Sequence, residues 1–277
     1  MDFGIFSKVY KQYTLKEAFY KIKEHGLKTV QFNFTNVGLS SLPTAIEQQI
    51  LEQIKEVIDK TGIKISVISG TFNTLELDES KHEMNMKGFS EVVRAAAELR
   101  VPFVSISTGS FNQEDFWSPH PDNHTEKAWE YLYRSLDEML PVAEAQNVVI
   151  IIEPEQANVV STAEDIIKLF EHYGNTKYLR VLFDAANIVT VDDTGHLKEK
   201  IKKALKQIGK YTVIAHCKDC IVSGERIEFA PVGKGNLPLN SYLKELKKYY
   251  GGPVIMHGLA ETDVKYALDY LQNGREE

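Results

Sequence analysis

Eight times along the chain, a short apolar run rich in β-branched residues gives way to a loop and then to a longer stretch with apolar positions at helical spacing. The runs are FGIFS (3–7), TVQFNF (29–34), IKISVIS (63–69), PFVSIS (102–107), VVIIIE (148–153), LRVLFD (179–184), TVIAH (212–216) and PVIMH (253–257). Their length and composition predict strands. The periodic stretches predict helices over Leu15 to His25, Ala45 to Lys60, Asn85 to Leu99, Glu126 to Gln146, Ala163 to His172, Leu197 to Ile208, Leu239 to Tyr249 and Thr262 to Leu271. Thr14 and Thr162 stand where N-caps belong, and Gly26 and Gly62 where helices stop.

Eight strand–helix units with no Pro-, Gly- or Ser-rich linker predict an α/β fold, a single (β/α)8 TIM barrel domain over residues 1–277. The structural alternative is a doubly wound open sheet. Against it, no G-x-G-x-x-G follows the first strand, and GxxxxGK[ST] occurs nowhere. The longest connections, Gly70 to His82 and Thr108 to Thr125, follow strands three and four. Both leave the C-terminal ends of their strands, where barrels build their active sites.

Composition narrows the function classes. Hydrophobic residues make up 43% of the chain and charged residues 26%, an ordinary globular mix. The formal net charge is -7, and the lysines of 198–210 are spaced as a solvated helix face, so no nucleic-acid partner is expected. No window has the apolar length of a membrane span, and the N-terminal stretch lacks the apolar core of a secretory signal. The expectation is a cytoplasmic protein with no membrane partner, a homodimer or a homotetramer.

The candidate chemistry sits at the last residues of the late strands. Strands five to eight end in Glu153, Asp184, His216 and His257, each after an apolar run, so four polar groups converge on the barrel mouth. Any one of them also suits a cap or turn. Together, two carboxylates and two imidazoles make a ligand set for a divalent metal such as Mn, Mg, Zn or Co. Period-two alternation then turns Glu155 and Lys218 inward, with Arg180 deeper in the lumen. The same alternation sends Cys217 to the helix side, so C-x-x-C at 217–220 reads as a coincidence rather than a zinc or redox motif. Asn33, Thr71 and Asn73 are placed to touch a polyol, or to make turns. The loop FWSPHPDNHT offers Phe116, Trp117, His120 and His124 as a lid over a sugar, or as a surface loop anchored by its aromatics. Gly233-Lys234-Gly235 offers a backbone turn and a cation to an anion.

The segments IIEPE (151–155), FDAAN (183–187), HCKD (216–219), PVGKGNLPL (231–239) and GPVIMHGLAE (252–261), with the opening FGIFSKVY and VISGTFN, resemble the sugar phosphate isomerase/epimerase family of xylose-isomerase-like TIM barrels. The resemblance runs nearly the length of the chain. It implies that Glu153, Asp184 and His216 bind the metal, and that Asn187 stands where related ketose epimerases carry a substrate-contacting histidine. His257 departs from the ketose 3-epimerases, which place a second glutamate there and use the pair to work on both faces of one carbon. The related endonuclease IV branch needs many more histidines, whereas strands three and four here end in Ser69 and Ser107.

The expected activity is therefore isomerisation or epimerisation of a small sugar, keto-polyol or sugar phosphate, by metal-assisted proton transfer through an enediolate. Glu153 is the expected general base. His257, or Glu155 through water, returns the proton, and Lys218 neutralises negative charge. Glu155, Asn187, Lys218, Asn73, Trp117 and His124 form the expected substrate contacts. Two other readings remain open at this stage: a metal-dependent dehydratase or lyase on a keto-polyol, which a Glu/His pair suits, and a non-catalytic sugar-binding barrel.

Overall fold

Residues 1–273 are described by the computed structural model of the protein. Its strands are β1 (Phe3–Phe6), β2 (Thr29–Phe32), β3 (Lys64–Ser69), β4 (Phe103–Ile106), β5 (Val149–Ile152), β6 (Leu179–Asp184), β7 (Thr212–Cys217), β8 (Asp219–Val222), β9 (Ile227–Ala230) and β10 (Val254–Met256). All but β8 and β9 pair in parallel in chain order, and β1 closes the barrel against β10 through Phe3–Val254, Gly4–Ile255 and Ile5–Met256. The helices are α1 (Leu15–Glu24), α2 (Gln48–Thr61), α3 (Glu79–Glu98), α4 (Glu126–Ala145), α5 (Ala163–His172), the single turn α6 (Ala185–Ile188), α7 (Leu197–Ile208), α8 (Leu239–Leu246) and α9 (Val264–Asn273). This is the α/β TIM barrel expected from the strand–helix rhythm.

Local chemistry explains most helix starts. Thr14 and Glu17 make a reciprocal capping pair ahead of α1, and Thr162 and Asp165 make another ahead of α5. Helix α3 begins well before the expected Asn85 because the Asp78 carboxylate accepts the Lys81 N–H at 3.0 Å. Its early turns, apart from the buried His82, carry charged and polar residues that hide the apolar period.

The lumen follows period-two alternation, with register irregularities at Val30/Gln31 and Val181/Leu182. Val67, Ile151, Leu182, Ile214 and Ile255 pack into one buried cluster inside the barrel, separate from the larger core between sheet and helices. They form the floor on which the site stands. Gly4 belongs to this closure: a Cβ there would meet the Ile255 side chain and the Thr29 carbonyl oxygen, each at 2.6 Å. The expected inward course of Arg180 leads only to the floor's lower side, where its guanidinium donates to the Thr176 and Leu179 carbonyls at 2.8 and 2.6 Å.

The antiparallel hairpin β8–β9, which the periodicity did not reveal, is inserted between β7 and α8. Asp219 holds it to the following loop. Its buried carboxylate accepts backbone N–H bonds from Cys220 (2.9 Å), Leu237 (3.2 Å), Gly233 (3.0 Å) and Gly235 (2.9 Å). The Gly233 and Gly235 donors are thus occupied within the fold, and Lys234 pairs with Asp263 at 2.6 Å, so this turn does not offer an anion site. Cys217 and Cys220 are buried free thiols in the core.

Replacing Asp219 by Ala strips acceptors from four backbone donors, each of which is costly to leave buried and unpaired. Thermal denaturation should show a loss of about 2 kcal/mol or more, which is a fall of at least about 4 °C in Tm for a domain of this size. An unchanged Tm would show that the loop holds itself without the carboxylate.

Candidate active site

Alternation carries four side chains to the top of the lumen, directly above the apolar floor. Glu153 and His257 follow β5 and β10, Asp184 ends β6, and His216 is the next-to-last residue of β7. One oxygen or nitrogen from each lies within 4.8 Å of the others. Asp184 and His216 are buried, whereas Glu153 and His257 retain 20% and 18% of their side-chain surface. The inner pair is anchored, and the outer pair faces the cavity.

Hydrogen bonds define what each group offers. Asp184 Oδ1 accepts from the Ala186 N–H at 2.9 Å, capping α6 and leaving Oδ2 beside His257 Nε2 at 2.9 Å. Asn187, from the same turn, donates Nδ2 to Glu153 Oε1 at 2.8 Å. His216 Nε2 lies 2.6 Å from Gln31 Oε1, an acceptor, so that nitrogen carries the proton. In the neutral ring Nδ1 is then a bare lone pair, yet it faces Glu153 Oε1 at 3.1 Å and Asp184 Oδ2 at 4.0 Å. Three electron-rich atoms that close together call for a shared positive charge.

The protonation states agree with a metal there. Burial would raise the Glu153 carboxyl, but the charge and hydrogen bond of His216 outweigh it and hold Glu153 below the ordinary value. Burial of Asp184 is outweighed in the same way, first by the Lys218 ammonium and then by the hydrogen bond from His257. Burial, then the charge of His216, keeps the His257 imidazole below its usual value despite the pull of Asp184. Metal ligands must be deprotonated. Two carboxylates and the neutral His257 imidazole meet that condition, His216 meets it when an ion stands in place of a proton on Nδ1, and Gln31 behind His216 is the kind of outer partner that orients a ligating ring. The donor set therefore fits a divalent ion.

Above the four groups opens a cavity of about 520 Å³. Of the other expected contacts, Glu155, Asn187, Lys218 and Trp117 line it. Lys218 is buried, with Nζ 3.9 Å from Asp184 Oδ2 and 4.0 Å from the Phe229 ring centroid. Trp117 and Phe229, 51% and 60% exposed, stand among the lining residues with most of their surface in solvent.

Asn73 and His124 do not line the cavity. The Asn73 amide is fully engaged with backbone, taking N–H bonds from Leu75 and Ser110 and donating to the Ser110 carbonyl at 3.0 Å. It braces two loops under the site. His124 is exposed at the end of a 3-10 turn, while its neighbour Asn123 is the buried residue, bonded to Phe111, Ser110 and Ala157. Gln31, Asn158 and Lys8 line the cavity without having been singled out from sequence. Gln31 was within reach, because it stands two positions before Asn33 on the inward face of β2. Asn158 was not, since only folding shows that it accepts from Ser107 Oγ at 2.6 Å and donates to the Phe116 carbonyl at 2.9 Å.

The solved structures that resemble this chain share its whole architecture. The 3-keto-D-glucoside 4-epimerase YcjR from E. coli superposes with a TM-score of 0.76 at 17% identity, covering 99% of both chains. The probable 3-DHS dehydratase AsbF from Bacillus anthracis gives 0.76 at 12%, covering 99% of this chain and 100% of its own. The IolI protein with a bound zinc atom gives 0.73 at 18%, covering 99% and 97%. At such identities the likeness is one of fold. Among curated proteins none matches the sequence. The sequence does match the xylose isomerase-like TIM barrel family over residues 19–273, and with the closed parallel barrel this establishes that the chain belongs to that family.

Proposed function

We propose that the protein is an isomerase or epimerase that shifts a proton at a carbon beside a carbonyl in a small sugar, keto-polyol or sugar phosphate, with a divalent ion held by Glu153, Asp184, His216 and His257. The observation that carries this reading is the meeting of two carboxylates and two imidazoles within 4.8 Å at the foot of a polar cavity. Such an ion supplies Lewis-acid polarisation of a substrate carbonyl.

The chain's own groups do the rest. Glu153 is ionised, partly open to the cavity and fixed by Asn187, which suits it to take the proton. His257, neutral and equally open, can return a proton to the same carbon or its neighbour only after taking one up, and Glu155, whose carboxyl burial raises to about 7, can supply it through water. The buried Lys218 ammonium sets a positive charge near the oxygen that becomes negative as the proton leaves. Asn187 Oδ1 is buried without a hydrogen-bond partner among the described residues and belongs to a cavity-lining residue, so it is suited to accept from a substrate hydroxyl. A cytoplasmic location and homo-oligomeric assembly belong to the proposal as well; among the described residues no helix is long and apolar enough to cross a membrane.

One observation favours the dehydratase as a second reading. Burial raises the Glu155 carboxyl to about 7, with Lys218 opposing and Glu153 and Asp184 adding to the rise. Near neutral pH it still holds a proton to give to a departing hydroxyl. The dehydratase among the structural neighbours is consistent with such chemistry on this fold.

Incubation of the manganese-loaded protein with a panel of keto-sugars in heavy water separates these readings. Proton transfer predicts deuterium at the carbon beside the carbonyl and a product of unchanged formula, whereas dehydration predicts loss of water. Glu153→Gln should slow deuterium uptake by about 10²–10⁴-fold; uptake at the wild-type rate would remove Glu153 from the role of base. Asn187→Ala, which frees one Glu153 oxygen, should lower kcat by roughly 10–100-fold. An undiminished kcat would show that Glu153 needs no such anchor.

A further inference from the structure

The cavity has two unlike ends. Its lining carboxylates, Glu153 and Glu155, both come from the segment at the end of β5. The rim beyond β1 and β2 carries Lys8, Asn33 and Ser41. This rim is a connected arrangement rather than a scatter of polar residues. Ser7 Oγ accepts the Asn33 backbone N–H at 3.3 Å and donates to Asn36 Oδ1 at 2.6 Å, which ties the turn bearing Lys8 to the end of β2. Lys8 Nζ lies 3.5 Å from Ser41 Oγ, and Ser41 Oγ donates to Asn33 Oδ1 at 3.3 Å.

Asn33 points to what is missing. It is fully buried, and its Oδ1 also accepts the Thr35 N–H at 3.0 Å, which sets the orientation of the amide. Among the described residues its Nδ2 has no hydrogen-bond partner. A buried amide donor is costly unless something supplies an acceptor. Lys8, meanwhile, is exposed and pairs with no carboxylate among the described residues. An ammonium and an amide N–H, with no acid beside them among the described residues, have an anion as their complement, and Ser41, whose hydroxyl donates to Asn33 Oδ1, links the two.

We propose that Lys8, Ser41 and Asn33 form a subsite for an anionic terminal group of the substrate, a carboxylate or a phosphate, on the rim of the cavity at β1 and β2, across the barrel from Glu153 and Glu155. The inference deepens the proposed function, and rests on it in taking this anion to be part of the molecule that reacts at Glu153.

The test uses protein stripped of metal with a chelator and three small probes: glycerol 3-phosphate, glycerate and neutral glycerol, with Kd read by ligand-observed NMR. At least one anion should bind the wild type ten or more times tighter than glycerol, and the tighter of the two names the group. Lys8→Gln should remove that preference. Asn33→Asp keeps an acceptor for the Thr35 N–H and adds a negative charge, so it should abolish anion binding with Lys8 intact. No preference in the wild type, or one that survives both substitutions, would overturn the subsite. Anion binding that appears only after manganese is restored would also overturn it, because the anion would then be sitting on the metal. Metal content measured on the same samples keeps the two ideas apart: a persistent anion preference in a protein that never takes up manganese would leave the subsite standing and sink the metal reading.

Discussion

Two carboxylates are held within 4.8 Å of each other at the top of a closed barrel, and much of the site follows from making that tolerable. At an effective dielectric of about 20, like charges at that distance repel by about 3.5 kcal/mol. The barrel answers with cations and donors aimed at the pair: Lys218 and His257 beside Asp184 Oδ2, the Ala186 N–H on its other oxygen, and Asn187 on Glu153. His216 faces acceptor oxygens through both ring nitrogens, Gln31 at Nε2 and Glu153 at Nδ1, so the neutral ring with its proton on Nε2 leaves the center of the group suited to a divalent ion. The apolar floor of Val67, Ile151, Leu182, Ile214 and Ile255 keeps this cluster at the mouth and excludes water from below.

The support around the site runs through loops rather than strands. Asp219 gathers four backbone N–H groups and thereby fixes the hairpin that carries Phe229 next to Lys218. Asn73, Asn123 and Asn158 do the same for the segment after β4, binding backbone across three loops and steadying Phe116 and Trp117 at the cavity. With His257 in place of a second carboxylate, the two groups that face the substrate are chemically unlike. Under the proposed function that asymmetry gives the two positions different proton affinities, and the choice between isomerisation and loss of water would rest with the substrate.

How much of this was legible in the sequence depended on period two. In a parallel barrel whose strands are buried on both faces, apolar runs reveal strands but not facing, and only the polar residue that ends a run shows which side is the mouth. Glu153, Asp184, His216 and His257 were readable for that reason, as were Lys218 and Glu155 two positions away. Residues in loops have no such rule. Asn73 and His124 were expected at the substrate because they follow strands or sit near aromatics, yet one turns its amide to backbone and the other to solvent. Lys8 escaped notice because it lies in a short turn after β1, and its link through Ser41 to Asn33 exists only once β2 has folded alongside.

The most direct test is metal content per chain, measured by inductively coupled plasma mass spectrometry after manganese loading and desalting, on the wild type beside Asp184→Ala. The account predicts about one equivalent in the wild type and a clear loss in the variant, with the barrel's circular dichroism preserved. A wild type that retains no metal, or a variant that retains as much, would contradict the claim that the four strand-end side chains form a metal centre.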